Sequence, residues 1–202
     1  MPGERDLRAG IRVSWVSVAW TVLASSAAVV AGIRAKTLVL IAFGLTGTLD
    51  ALGSLTIALH FRHAVARQAI SPARERFALR LVSLGLLGVG LFTVVESLRR
   101  LITHTHAGRS TFGIAVAAAS FVVLTVLSIR KRAVAARIPS RALRADGALS
   151  ATGASLAIVT LIGTALAQRK GADWVDPTAA LVVALAACAV GAVALRREAD
   201  EL

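Results

Sequence analysis

Residues 37–59 read TLVLIAFGLTGTLDALGSLTIAL, a run in which Asp50 is the sole formally charged residue. A helix of about 20 residues, at roughly 1.5 Å each, crosses the hydrocarbon core of a bilayer, and this run has that length and apolarity. Lipid offers no water to backbone N–H and C=O groups, so the run must close its own hydrogen bonds as a helix. The same pattern recurs along the chain. Apolar windows of crossing length fall at 13–33, 81–98, 110–129, 147–168 and 177–195. With 37–59 they predict an all-α integral membrane protein, a six-transmembrane-helix bundle. The bundle is read as a single transmembrane domain over residues 1–202, with no soluble C-terminal domain.

Composition agrees with this reading. Of 202 residues, 56% are hydrophobic and 17% charged, and the mean hydropathy of +0.75 is too high for an ordinary soluble domain. Lys and Arg number 23 against 11 Asp and Glu, a net charge of +12. On a soluble surface that excess would suggest nucleic acid. Here the bases lie between apolar spans, without Tyr and without interleaved aromatics, so no nucleic-acid partner is expected. Sixteen of the 23 fall at the two ends and in the even-numbered loops, including Arg5, Arg8, Arg74, Arg130, Lys131 and Arg197. The other seven, among them Arg34, Lys36, Arg99 and Arg100, fall on the opposite side. By the positive-inside rule both termini are cytoplasmic, and the excess charge meets lipid headgroups. The first span is bounded by Arg12 and Arg34 and reads as retained, not as a cleaved signal peptide.

Cys188 is the sole cysteine, which excludes a disulfide framework and any Cys-based zinc motif. The sequence has no Gly-x-Ser-x-Gly, no phosphate-cradling Gly-x-x-x-x-Gly-Lys and no His-Glu-x-x-His. No enzyme, no ATP-driven pump and no resident cofactor is therefore expected. Function must lie within the bundle.

An acid inside the hydrocarbon is costly, which makes each one a functional candidate. Asp50 is the strongest, near the middle of its span and on one helix face with Thr46 and Ser54. It suits a cation or proton site; the plainer reading is a protonated carboxyl bonded across a helix interface. Glu96 precedes Arg99 and Arg100 at the spacing of helical ion pairs, and Asp146 opens the fifth span beside Arg144. Asp176, in Trp174-Val175-Asp176-Pro177, reads as a structural cap on the sixth helix. His60, His63, His104 and His106 lack a third ligand and read as loop or helix-end residues. Small residues at Gly44 and Gly47, at Gly85, Gly88 and Gly90, and at Gly147, Ala151 and Ser155 read as helix-packing positions.

The stretches Gly44-Leu-Thr-Gly-Thr-Leu-Asp50-Ala-Leu-Gly-Ser54, Ser140-Arg-Ala-Leu-Arg-Ala-Asp146-Gly-Ala and Gly171-Ala-Asp-Trp174-Val-Asp176-Pro177 occur in this order among six short-looped spans. Together they resemble the cation diffusion facilitator (cation efflux) superfamily. The likeness covers nearly the whole chain and is closest to small bacterial members made of the transmembrane bundle alone, which carry a stretch like Ser71-Pro-Ala-Arg-Glu75-Arg76. The resemblance implies proton-coupled export of a divalent cation, usually zinc, by a homodimer in the bacterial cytoplasmic membrane. It also implies a metal held between the second and fifth helices by two residues from each. Asp50 matches one of these positions; Thr46, Leu149 and Gly153 stand at the other three. The expected cation site is thus Asp50 with Thr46, supported by Glu96 and Asp146. One carboxylate with hydroxyls from Thr46, Ser54, Ser150 or Thr152 is a hard-oxygen set, poorly matched to zinc. The alternative is a non-transporting membrane scaffold or partner subunit that keeps the same fold.

Overall fold

A computed structural model describes residues 4–65, 72–104, 107–137, 141–169 and 173–199. They form helices α1 (Glu4–Ala35), α2 (Leu38–Val65), α3 (Pro72–Thr103), α4 (Thr111–Arg137), α5 (Arg141–Leu166) and α6 (Val175–Ala199), with no strand among the described residues. By length and composition, Ala9–Ala35, Thr111–Arg137, Gly147–Leu166 and Val175–Val193 can each cross a membrane, and α2 contributes a shorter apolar stretch, Leu38–Leu52.

The helices outrun the apolar windows mostly at one end of the bundle. There α1 starts at Glu4, α2 and α4 run to Val65 and Arg137, and α3 and α5 begin at Pro72 and Arg141. The added turns are rich in Arg, Ala and Leu, good helix formers that need no lipid to stay helical. At the other end the connections are tight. Lys36 takes a left-handed conformation (φ 54°), its N–H donating to Ile33 O and that of Thr37 to Gly32 O at 2.9 Å. This closes α1 with a Schellman turn into α2. Gly108 N–H donates to Ala35 O at 2.7 Å, an approach so close that a Cβ on Gly108 would lie 2.8 Å from that oxygen. Ser110 caps α4 through the Gly113 N–H.

Packing pairs α1 with α2, α4 with α5, and α3 with α6, and α2 also meets α3, α5 and α6. The main core joins Ala28, Leu38, Val39, Ala42 and Phe43 to Leu156, Ala157, Ala180 and Val183. Gly44 lets α2 approach the α1 backbone near Ser25 and Val29, and Gly90 lets α3 approach α6 near Ala184 and Cys188. Gly88 behaves differently from the packing role expected of it. Nothing lies within 4 Å of where its Cβ would be, because it sits on the face of α3 that also exposes Leu84, Leu91 and Val95.

Candidate cation site

The packing leaves a cavity of about 140 Å³ between all six helices. α2 contributes Phe43, Thr46, Gly47 and Asp50, and α5 contributes Leu149, Thr152, Gly153 and Leu156. Trp20, Thr21, Ala24 and Ser25 of α1, Ser83 and Leu86 of α3, Ser120 and Leu124 of α4, and Ala186, Ala187 and Val190 of α6 complete the wall. Thr46 and Asp50 meet on it because four residues make one turn, and the same spacing brings Leu149 and Gly153 in from α5. Asp50 is half-buried.

The wall is mostly hydrocarbon, so its polar atoms matter individually. Hydroxyls in this bundle commonly bond back along their own helix: Thr48 donates to Gly44 O, Thr93 to Val89 O, Thr125 to Phe121 O and Thr160 to Leu156 O. Thr46 Oγ1 and Ser120 Oγ are buried and make no such bond, and neither does the buried indole Nε1 of Trp20. Buried polar atoms without partners are rare and call for an explanation. Three on one cavity, beside a carboxylate, form a wall that can still accept or donate bonds to an occupant. Leu149 and Gly153 bring no donor atom, and among the described residues no group of three or more His, Cys, Asp and Glu is placed to hold a metal.

The other sequence candidates lie elsewhere. Glu96 is ten residues along α3 from Leu86, roughly 15 Å at the helical rise, and is not in the wall. It is engaged by Arg99 at 3.3 Å and Arg100 at 3.1 Å. Asp146 falls within α5, one turn before Ser150; its side chain lies outside the described residues, as do those of His60 and His63 and the whole of His106. His104 ends α3 in a left-handed conformation, exposed. Ser54, one turn past Asp50 on α2, is buried and is not in the wall.

Two charged groups have roles that the sequence did not reveal. Asp176 does not cap its own helix. It lies inside the first turn of α6, 1% exposed, and accepts the N–H groups of Leu38 at 2.7 Å and Val39 at 3.2 Å, the start of α2. Arg100 lies 3.6 Å from the same carboxylate and donates to Lys36 O at 2.7 Å, so α2, α3 and α6 are tied together at this end. A helix start presents unsatisfied N–H groups and a positive dipole end, and a buried carboxylate answers both. Lys131, counted among the loop bases, is instead fully buried, with Nζ donating to Ser17 Oγ at 2.8 Å and Ser150 Oγ at 2.9 Å.

Among models of known protein families, that of the cation efflux transmembrane domain matches residues 14–202.

Proposed function

Since the chain belongs to the cation efflux family, we propose that it carries a cation across the membrane through the central cavity, with Asp50 as the charged group of the site. The observation that carries this reading is the wall itself: Asp50 and the unspent Thr46 hydroxyl, one turn apart on α2, share the cavity with the α5 positions Leu149 and Gly153. Retaining a carboxylate at this depth is costly for a purely structural bundle and useful for one that must bind a cation.

The chemistry follows from the donor set. Asp50 supplies the one negative charge, and the hydroxyls of Thr46, Ser120 and Thr152 supply neutral oxygens. A carboxylate that holds either a proton or a metal ion exchanges one for the other, because ligands must be deprotonated to bind metal. That is the basis for proton-coupled export here. Zinc is the first cargo to test, from the family resemblance, although an all-oxygen set favours a harder divalent ion such as manganese. The working arrangement is a homodimer of six-span subunits with both termini cytoplasmic, in the cytoplasmic membrane of a bacterium.

The test is flux in proteoliposomes at imposed pH gradients, with zinc, manganese, cobalt and cadmium each offered to the wild type and to Asp50→Asn. The expected outcome is flux of at least one ion, accompanied by proton counterflow and reduced tenfold or more in the variant. A scaffold reading is favoured by the missing donors at Leu149 and Gly153. It predicts no flux of any ion from folded wild type, and an Asp50→Asn protein changed in stability alone.

A further inference from the structure

The central cavity is roomier and more apolar than a bare metal ion requires. A hard divalent ion is held by oxygens about 2–2.6 Å away on most sides, whereas Asp50 is the only formal charge among the described residues of this wall. Phe43, Leu86, Leu124, Leu149 and Leu156 line much of the rest. The volume, about 140 Å³, is close to the roughly 150 Å³ of an enclosed apolar cavity that takes up a benzene molecule. A compact organic ligand of that size therefore fits, with its carbon surface against hydrocarbon and a few polar groups to orient it.

The polar atoms of the wall decide the charge of such a ligand. Thr46 is 7% exposed and Ser120 0%, and neither hydroxyl has a partner in the protein. The Thr152 hydroxyl, by contrast, is spent on Ala148 O at 3.2 Å. A primary ammonium carries three N–H donors and no acceptor. One carboxylate and two unspent hydroxyl oxygens match that count, and the bond to a carboxylate is charge-assisted. Asp50 also has an interaction within the protein; a carboxylate offers about four lone-pair sites, so it accepts an N–H without giving that contact up. The indole N–H of Trp20, buried and unpartnered, donates only. It turns to an oxygen, a hydroxyl on the ligand or a water that enters with it.

We propose that the central cavity binds a small organic ammonium ion, about the size of butylammonium or cyclohexylammonium, through Asp50, Thr46 and Ser120, with its hydrocarbon against the leucines of the wall. Leu149 and Gly153, which bring a metal ion no donor, suit this occupant: one covers its carbon surface and the other makes room for it. The proposal names a cargo class for the transport reading and rests on that reading for its purpose, but binding is measured without transport.

The experiment uses Trp20 as the reporter. The chain has three Trp, and Trp15→Phe with Trp174→Phe leaves one indole, on the cavity wall. This protein, in nanodiscs at neutral pH, is titrated with butylammonium, cyclohexylammonium, uncharged cyclohexanol and anionic cyclohexanecarboxylate while the indole fluorescence is followed. Both ammonium ions should give a saturable response, cyclohexanol one at least tenfold weaker, and the carboxylate none. Asp50→Asn should weaken ammonium binding tenfold or more, to the level of cyclohexanol. Thr46→Val/Ser120→Ala keeps the charge and should weaken binding several-fold; it serves if Asp50→Asn does not fold. Gly153→Leu should abolish binding by filling the space, since a Cβ there meets only Leu124 Cδ1, at 3.2 Å. No saturable response, equal binding of cyclohexanol and cyclohexylammonium, or binding untouched by these variants would overturn the ammonium site and leave an apolar void. Metal flux without ammonium binding sinks this site and leaves the transporter standing. Ammonium binding without flux of any cation, metal or organic, keeps the site and removes the transporter.

Discussion

At the scale of the residue, the charges inside the bundle divide by what the chain alone can reveal. Asp50 was legible because its cost in lipid depends on depth, and depth can be counted from the span boundaries. The carboxylate of Asp176 was visible too, but its partners were not. Leu38 and Val39 are 138 and 137 positions away, and no local periodicity carries that pairing. The geometry makes a clear prediction. Asp176→Ala strips both N–H groups of their acceptor and leaves Arg100 facing a hole, so thermal denaturation in detergent should show a loss of about 2–3 kcal/mol. Asp176→Asn, which keeps one acceptor oxygen, should lose less. Equal stability in all three proteins would mean that water or lipid headgroups satisfy the start of α2.

At the scale of the element, Lys131 shows how a span count misleads. The fourth apolar window closes at residue 129, and the basic residues beyond it look like a loop. The buried face of α4 runs Gly113, Ala117, Ser120, Leu124, Leu127, Lys131 and Ala135, in steps of four and three without a break. Extending that register past the window would have placed Lys131 inward, because a helix does not end where its apolar composition does. Small residues need the same care, since spacing marks a candidate contact but not its partner. A Cβ at Gly44 would sit 2.7 Å from Ser25 O and 2.9 Å from Val29 N, whereas one at Gly88 would meet nothing. Gly44→Ala should therefore destabilise the protein by about 1–3 kcal/mol as α1 and α2 are forced apart. Gly88→Ala should be neutral or gain a few tenths through helix propensity. Chemical or thermal unfolding of the two variants side by side checks the pair.

At the scale of the whole molecule, many large apolar side chains among the described residues face outward. Leu23, Ile33, Leu91, Ile102, Phe112 and Ile129 are all more than half exposed on the outer faces, a distribution stable only against lipid. That the chain is helical and built for lipid was legible because composition and window length both respond to that solvent, while four of the six windows are matched by helices long and apolar enough to cross. The cavity was legible in part, through Thr46 and Asp50, while its walls from α1, α3, α4 and α6 depended on helix pairing. Exposed Arg12, Arg130, Arg132 and Arg196 lie toward the end where α1 begins and α4 and α6 finish. Reporters fused to the two termini should both be read on the cytoplasmic face; reporters on opposite faces would exclude an even number of crossings.

The bond between Asp176 and the start of α2 also bears on the order of assembly. A ribosome delivers α2 long before α6, so the first helices enter the bilayer with two amide hydrogens at Leu38 and Val39 still lacking their carboxylate. The early hairpin is thus provisional, held by side-chain packing against α1 until the final span arrives and locks it. Chains arrested before α6 should remain open to proteases at the α1–α2 turn, and full-length chains should become resistant in a single late step.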